Sequence, residues 1–182
     1  MLDAAVVVFA RQGISRTSLS EIAAEAGLTK GAVYSNFGSK DELLLAIMED
    51  HLIERMRDVA AVFDGGLSTP DAVRAAGARL LAAMVADATW HQLLLEYWTL
   101  ALHDEAVMTK LAAKRAEVRA TVARAIAAAA DAHGVTLPIS PEELAVTLMA
   151  LSNGYAVERA IDTAAVPDQL FEKVLGLLVA MP

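Results

Sequence analysis

Thr29, Lys30, Gly31, Ala32, Tyr34, Ser35, Asn36 and Lys40 fall in one short stretch, and Thr17, Ser18 and Ser20 lie just upstream. The polar members are hydroxyls, an amide and two ammonium groups. They contain no nucleophile paired with a base, so the chemistry open to them is non-covalent: donating hydrogen bonds to anionic oxygens and to the edges of polar rings. Cysteine is absent, which removes thiolate catalysis, disulfides and Cys-ligated zinc. His51, His91, His103 and His133 show no spacing with carboxylates that would specify a metal. Neither an enzyme nor a cofactor is expected.

The positions of caps and glycines say what must hold these side chains. Ser18-Leu19-Ser20-Glu21 reads as a capping box, so a helix is expected over Ser18 to Ala26 with Leu19, Ile22, Ala23 and Ala26 facing inward. Gly27 permits a sharp turn, and Thr29 can cap a second helix over Lys30 to Phe37. In that second helix Val33 and Phe37, four apart, share the buried stripe, which leaves Lys30, Gly31, Tyr34 and Ser35 facing elsewhere. Gly38 breaks it. Ser39-Lys40-Asp41-Glu42 then reads as another capping box, opening a long helix through Leu43, Leu44 and Ile47.

Phe9-Ala10-Arg11-Gln12-Gly13, Thr17 to Ala23, Ala26 to Tyr34 and Phe37 to Leu43 together resemble, without a gap, the DNA-binding domain of the TetR family. The resemblance covers about a quarter of the chain. It implies that Thr17, Ser18, Thr29, Tyr34 and Lys40 touch phosphates and that Ser20, Lys30, Gly31, Ala32 and Ser35 face base edges. Two features depart from the family pattern. Asn36 stands where many members carry a histidine, an exchange that still leaves a donor for phosphate. The basic arm that commonly precedes the first helix is not seen before Leu2, so dimerisation or an arm outside the numbered chain is expected to supply part of the affinity.

Charge is the main objection to a duplex partner. The chain carries a net charge of −8, whereas phosphate contacts need Lys or Arg. Within residues 1–45 Arg11, Arg16, Lys30 and Lys40 face five acids, Asp3, Glu21, Glu25, Asp41 and Glu42. A helical protein that binds a small molecule and has lost DNA recognition therefore stays open as an alternative.

Beyond Lys40 the helices lengthen, with candidates over Lys40 to Phe63, Pro70 to Asp87, Thr89 to Leu102, Asp104 to His133, Pro141 to Ile161 and Val166 to Val179. A first helix over Leu2 to Gln12 completes the set. The expected fold is all-α: a three-helix helix-turn-helix domain over residues 1–46, then a larger antiparallel helical domain over 47–182. No stretch reaches the roughly 20 apolar residues of a membrane span, and the start lacks the features of a secretory signal, so a cytoplasmic protein without a membrane partner is expected.

The family resemblance implies an effector cavity in the larger domain. Met84, Trp90, His91, Leu94, Tyr97, Trp98, Met108, Met149 and Asn153 are the candidates, because aromatic and unbranched apolar side chains suit an apolar or aromatic ligand. Each could equally be plain core. From Leu144 to Val157 apolar residues surround the helix, more than one subunit can cover. Leu148, Leu151 and Tyr155, with Phe171, Val174, Leu175 and Leu178 of the last helix, are the expected homodimer interface. A two-fold dimer would offer two reading helices to a palindromic operator.

Overall fold

The computed structural model describes residues 1–63, 65–66, 71–72, 75–76, 78–79, 88–167 and 169–180, without the side chains of 63, 88, 171, 172 and 178–180. Eight helices are described in full: α1 Leu2–Gln12, α2 Leu19–Glu25, α3 Lys30–Asn36, α4 Lys40–Phe63, α5 Ala88–Ala101, α6 Glu105–His133, α7 Pro141–Ile161 and α8 Leu170–Ala180. Residues 71–72, 75–76 and 78–79 are also helical, while the rest of the expected helix from Pro70 to Asp87 lies outside the described residues. No strand occurs among the described residues, and no helix there is long and apolar enough to cross a membrane.

The chain divides into two compact units. The first joins Met1–His51 to Thr89–Arg115, and the second holds Leu52–Ala88 and Ala116–Pro182. The first unit is wider than the stretch 1–46 expected to read DNA. The physical reason is core size: three short helices bury too little apolar surface alone. Val8 and Phe9 of α1, Ile22 of α2, Val33 of α3 and Leu43, Leu44 and Ile47 of α4 therefore share one core with Leu93, Leu94, Tyr97 and Ala101 of α5 and Leu111 of α6. Helix α1 contains the β-branched run Val6-Val7-Val8, a poor helix former by propensity. Burial of Ala5, Val8 and Phe9 outweighs that, and Asp3 in the first turn and Arg11 in the last suit the helix dipole.

Side-chain contacts tie α4, α5 and α6 together at the edge of this core. Lys114 Nζ meets Glu49 Oε2 at 2.7 Å, the Arg115 guanidinium lies 5.0 Å from the centre of the Trp98 ring, and His51 stacks on Trp90 at 4.5 Å.

In the second unit, α7 starts at a capping box in which Ser140 and Glu143 bond reciprocally, with Pro141 in the first turn. From the last turn of α7, Arg159 Nη1 donates to the Val166 carbonyl at 2.8 Å, holding the turn that follows the helix. Leu144, Ala145 and Ala156 of α7 are buried, as are Val166 and Leu175 of α8. Ile22 has no exposed surface, and its truncation leaves a cavity among rigid neighbours. Ile22→Ala is expected to lower unfolding free energy by about 3 kcal/mol, measured by urea denaturation.

Candidate nucleic-acid interface

Gly13 ends α1 at a φ of +82°, which favours glycine, and its N–H donates to Phe9 O at 2.7 Å. The next residues are gripped from several sides. Ile14 N–H donates to Glu96 Oε1 of α5 at 2.8 Å, and Lys40 Nζ donates to the carbonyls of Ile14 at 2.8 Å and Ser15 at 3.1 Å. The Thr17 hydroxyl donates to Gly13 O at 2.7 Å and accepts from Gln12 Nε2 at 3.3 Å. Thr17 is 3% exposed. It fastens the α1–α2 turn, with its hydroxyl directed to Gly13 O.

Helix α2 begins as its sequence demands. Ser18 Oγ accepts from Glu21 N at 3.2 Å, and the Glu21 carboxylate accepts from both Ser18 N and Ser18 Oγ at 2.8 Å. The Ser18 backbone N–H and then its hydroxyl hold the Glu21 carboxyl below its ordinary pKa of 4.5. At the other end Gly27, at a φ of +65°, donates to Ala24 O at 3.2 Å, and Leu28 donates to Ala23 O at 2.9 Å. These paired bonds form a Schellman turn. The chain thus re-enters a helix within three residues, with Thr29 Oγ1 accepting from Ala32 N at 3.2 Å.

Val33 is buried and Phe37 packs against the core, so the register of α3 leaves Lys30, Gly31, Tyr34, Ser35 and Asn36 exposed; Tyr34 is 53% exposed. Ser18 and Thr29 are exposed beside this face, and Ser20 and Ala32 are half-buried. Two donors turn back on their own helix, Ser35 Oγ to Ala32 O at 3.0 Å and Asn36 Nδ2 to the same carbonyl at 2.7 Å. Asn36 keeps a second amide hydrogen for a partner.

The start of α4 departs from the expected capping box in one bond. Ser39 Oγ accepts from Glu42 N at 3.2 Å, but the Glu42 carboxylate takes the N–H of Gly38 at 2.8 Å, one residue earlier than the box requires. A Cβ on Gly38 would stand 3.3 Å from Glu42 Oε2, so the missing side chain lets the carboxylate come this close. Lys40 was expected to touch phosphate. Two of its three donor positions are occupied by Ile14 O and Ser15 O.

The expected effector residues divide. Leu94 and Tyr97 are in the core of the first unit, Trp90, Trp98 and Met108 pack against it, and His91 is half-buried. The Tyr97 hydroxyl and Trp98 Nε1 are buried with no hydrogen-bond partner among the described residues, and burial, then Asp41, pushes the Tyr97 pKa up to about 12. Met149 and Asn153 are half-buried in the second unit, and Met84 lies outside the described residues. Of the expected dimer residues, Leu148, Leu151, Tyr155 and Val174 are half-buried and Leu175 is buried. The side chains of Phe171 and Leu178 lie outside the description.

Residues 1–47 match the bacterial regulatory proteins of the tetR family, and residues 70–181 match the C-terminal domain of BetI-type transcriptional repressors. The chain belongs to the TetR family. The HTH-type transcriptional regulator AcrR of Shigella flexneri is 49% identical over 49 residues, 27% of this chain and 23% of that protein. The HTH-type nicotine-responsive transcriptional repressor HdnoR of Paenarthrobacter nicotinovorans is 33% identical over 94 residues, 52% of this chain and 44% of the relative. Those matches therefore span less than half of either relative. Across nearly the whole chain the fold is shared with a transcriptional regulator from Rhodococcus sp. Rha1, at a TM-score of 0.70 and 24% identity over 99% of this chain and 92% of the other.

Sequence reasoning missed Glu96 as a partner of the TetR-type head, because the two residues of that bond are 82 apart. Only the turn glycine at position 13 hinted that something approaches closely there. For the cap of α2, the depressed Glu21 pKa means that its stabilisation is complete above the unfolded value of 4.5 and is lost as pH falls through the lower folded value. Ser18→Ala is expected to move the Glu21 titration, followed by carboxyl NMR, upward toward 4.5, and an unchanged midpoint would contradict the cap's role.

Proposed function

We propose that this protein is a ligand-responsive transcriptional repressor that binds a palindromic operator as a homodimer and leaves it when a small apolar or aromatic effector binds. The observation that carries the DNA reading is Gly31. A glycine in the first turn of α3 costs backbone entropy relative to alanine, and among the described residues nothing crowds this position. A Cβ there would meet only Thr29 Oγ1, at 4.0 Å. Its use is external, allowing another surface to approach α3 between Lys30 and Tyr34. That suits a base edge or sugar-phosphate strand in a major groove, with Ser18, Thr29 and Tyr34 as phosphate contacts and Ser20, Lys30, Ala32 and Ser35 beside bases. Asn36 and the remaining donor of Lys40 add backbone contacts.

Support for the dimer is the apolar surface of α7 and α8. Leu177 of α8 is 67% exposed in the single chain, one turn from half-buried Val174, and α7 carries Val146, 51% exposed, and the half-buried Leu148, Leu151 and Tyr155. Support for an effector at α5 is the pair of buried polar groups on Tyr97 and Trp98 that have no hydrogen-bond partner among the described residues. An unmet buried donor is costly, so a ligand acceptor would be favoured there among Trp90, His91, Leu94 and Met108. Repression is suggested by the BetI-type repressor match, and a small ring-containing effector by the nicotine-responsive relative.

Selection of bound sequences from random duplexes tests the reading. Enriched sequences are expected to have dyad symmetry with half-sites about one helical turn apart. Failure to enrich any sequence would favour the alternative, a helical small-molecule-binding dimer without DNA recognition. A second expectation separates binding from folding. Gly31→Ala should raise stability by about 0.5–1 kcal/mol in urea unfolding while weakening binding to the enriched duplex severalfold. An alanine variant that binds as well as wild type removes the argument from Gly31. Tyr34→Phe should lower affinity for all duplexes alike, by the loss of one phosphate contact.

A further inference from the structure

Ile14 sits at the turn that sets the direction of α2, and its peptide groups are held by opposite charges from two different helices. Its N–H donates to the Glu96 carboxylate of α5 at 2.8 Å, and its carbonyl accepts from the Lys40 ammonium of α4 at 2.8 Å. Both are charge-assisted bonds, about twice as strong as neutral ones. A second observation marks the same contact. A Cβ on Gly13 would lie 3.1 Å from Glu96 Oε1, so the residue before Ile14 is shaped to admit this carboxylate. From the turn the constraint passes directly to α2, because the Thr17 hydroxyl bonds Gly13 O and Ser18 follows as its N-cap.

We infer that Glu96 is a positioning residue for DNA binding: by holding Ile14 it fixes the α1–α2 turn, and with it the angle at which α2 and α3 are presented. This rests on the duplex-binding reading above. Glu96 itself touches no DNA. It belongs to the helix that carries Tyr97 and Trp98, and a shift of α5 by about 1 Å along the bond would take 2.8 Å beyond hydrogen-bonding range. Anything that displaces α5 therefore loosens the reading head.

The test uses the full chain and a duplex that the wild-type protein enriches from a random pool, at a temperature where circular dichroism shows every variant folded. Glu96→Gln keeps an acceptor for Ile14 and should bind within about threefold of wild type. Glu96→Asp keeps the charge but falls short by one methylene, and Glu96→Leu has no acceptor. Both should bind about tenfold more weakly, with faster hydrogen exchange at the Ile14 amide and an unchanged preferred sequence. E96D and E96L binding as tightly as wild type would overturn the inference, as would weaker binding with unchanged hydrogen exchange at the Ile14 amide, since the carboxylate would then act elsewhere than on the turn. If the wild-type protein enriches no duplex, the parent reading fails and takes this inference with it. If it enriches one that E96L binds equally well, only the inference fails.

Discussion

The two bonds to the Ile14 peptide groups are the constraint on which the arrangement of the N-terminal unit depends. A turn between two short helices has few apolar contacts of its own, and α2 and α3 are too short to be stable alone. Their positions come from what they pack against and from what holds the turn. Val33, Ile22 and Leu19 supply the packing, which is non-directional. Glu96 and Lys40 supply direction, because a charge-assisted hydrogen bond tolerates only a few tenths of an ångström and a limited range of angles. Two elements distant in sequence, α5 and the start of α4, thus determine how the exposed face of α3 is presented.

This arrangement also changes the meaning of the acidic composition. Of the four cations in the N-terminal stretch, Arg11 pairs with Glu25 at 3.3 Å, Arg16 Nε bonds Gln12 O at 2.7 Å, and Lys40 is tied to the turn. Lys30 is exposed on the α3 face. With these four cations against five acids in residues 1–45, long-range attraction to phosphate is weak, and binding would depend on short-range fit. Hydroxyls, caps and the bare backbone at Gly31 are the groups suited to that. Affinity would therefore respond strongly to small changes in head geometry and less to bulk charge.

Local chemistry was legible in the sequence. The Ser18 cap, the Gly27 turn, the Thr29 cap and the Val33–Phe37 stripe are each settled by residues within four or five positions, and the helices Leu2–Gln12, Lys40–Phe63 and Pro141–Ile161 followed from the same signals. Pairwise geometry over long separations was not legible. The partners of Ile14, the inward turn of Thr17, the shift of the Glu42 carboxylate to Gly38 and the use of Lys40 as a tether all depend on which helices meet. Aromatic residues on α5 read as pocket or as core with equal ease, since both demand apolar surface. Burial places Leu94 and Tyr97 in the core, and the Tyr97 hydroxyl, without a partner among the described residues, is the detail that composition could not convey.

The central claim is that the outer face of α3, held by the turn at Ile14, is the surface that meets duplex DNA. Backbone amide NMR during titration with an enriched duplex tests it most directly. The account predicts that shift changes concentrate at Ser18, Ser20 and Thr29 to Asn36, with smaller changes at Ile14 and along α5. Changes confined to α7 and α8, or none at saturating duplex, would contradict it.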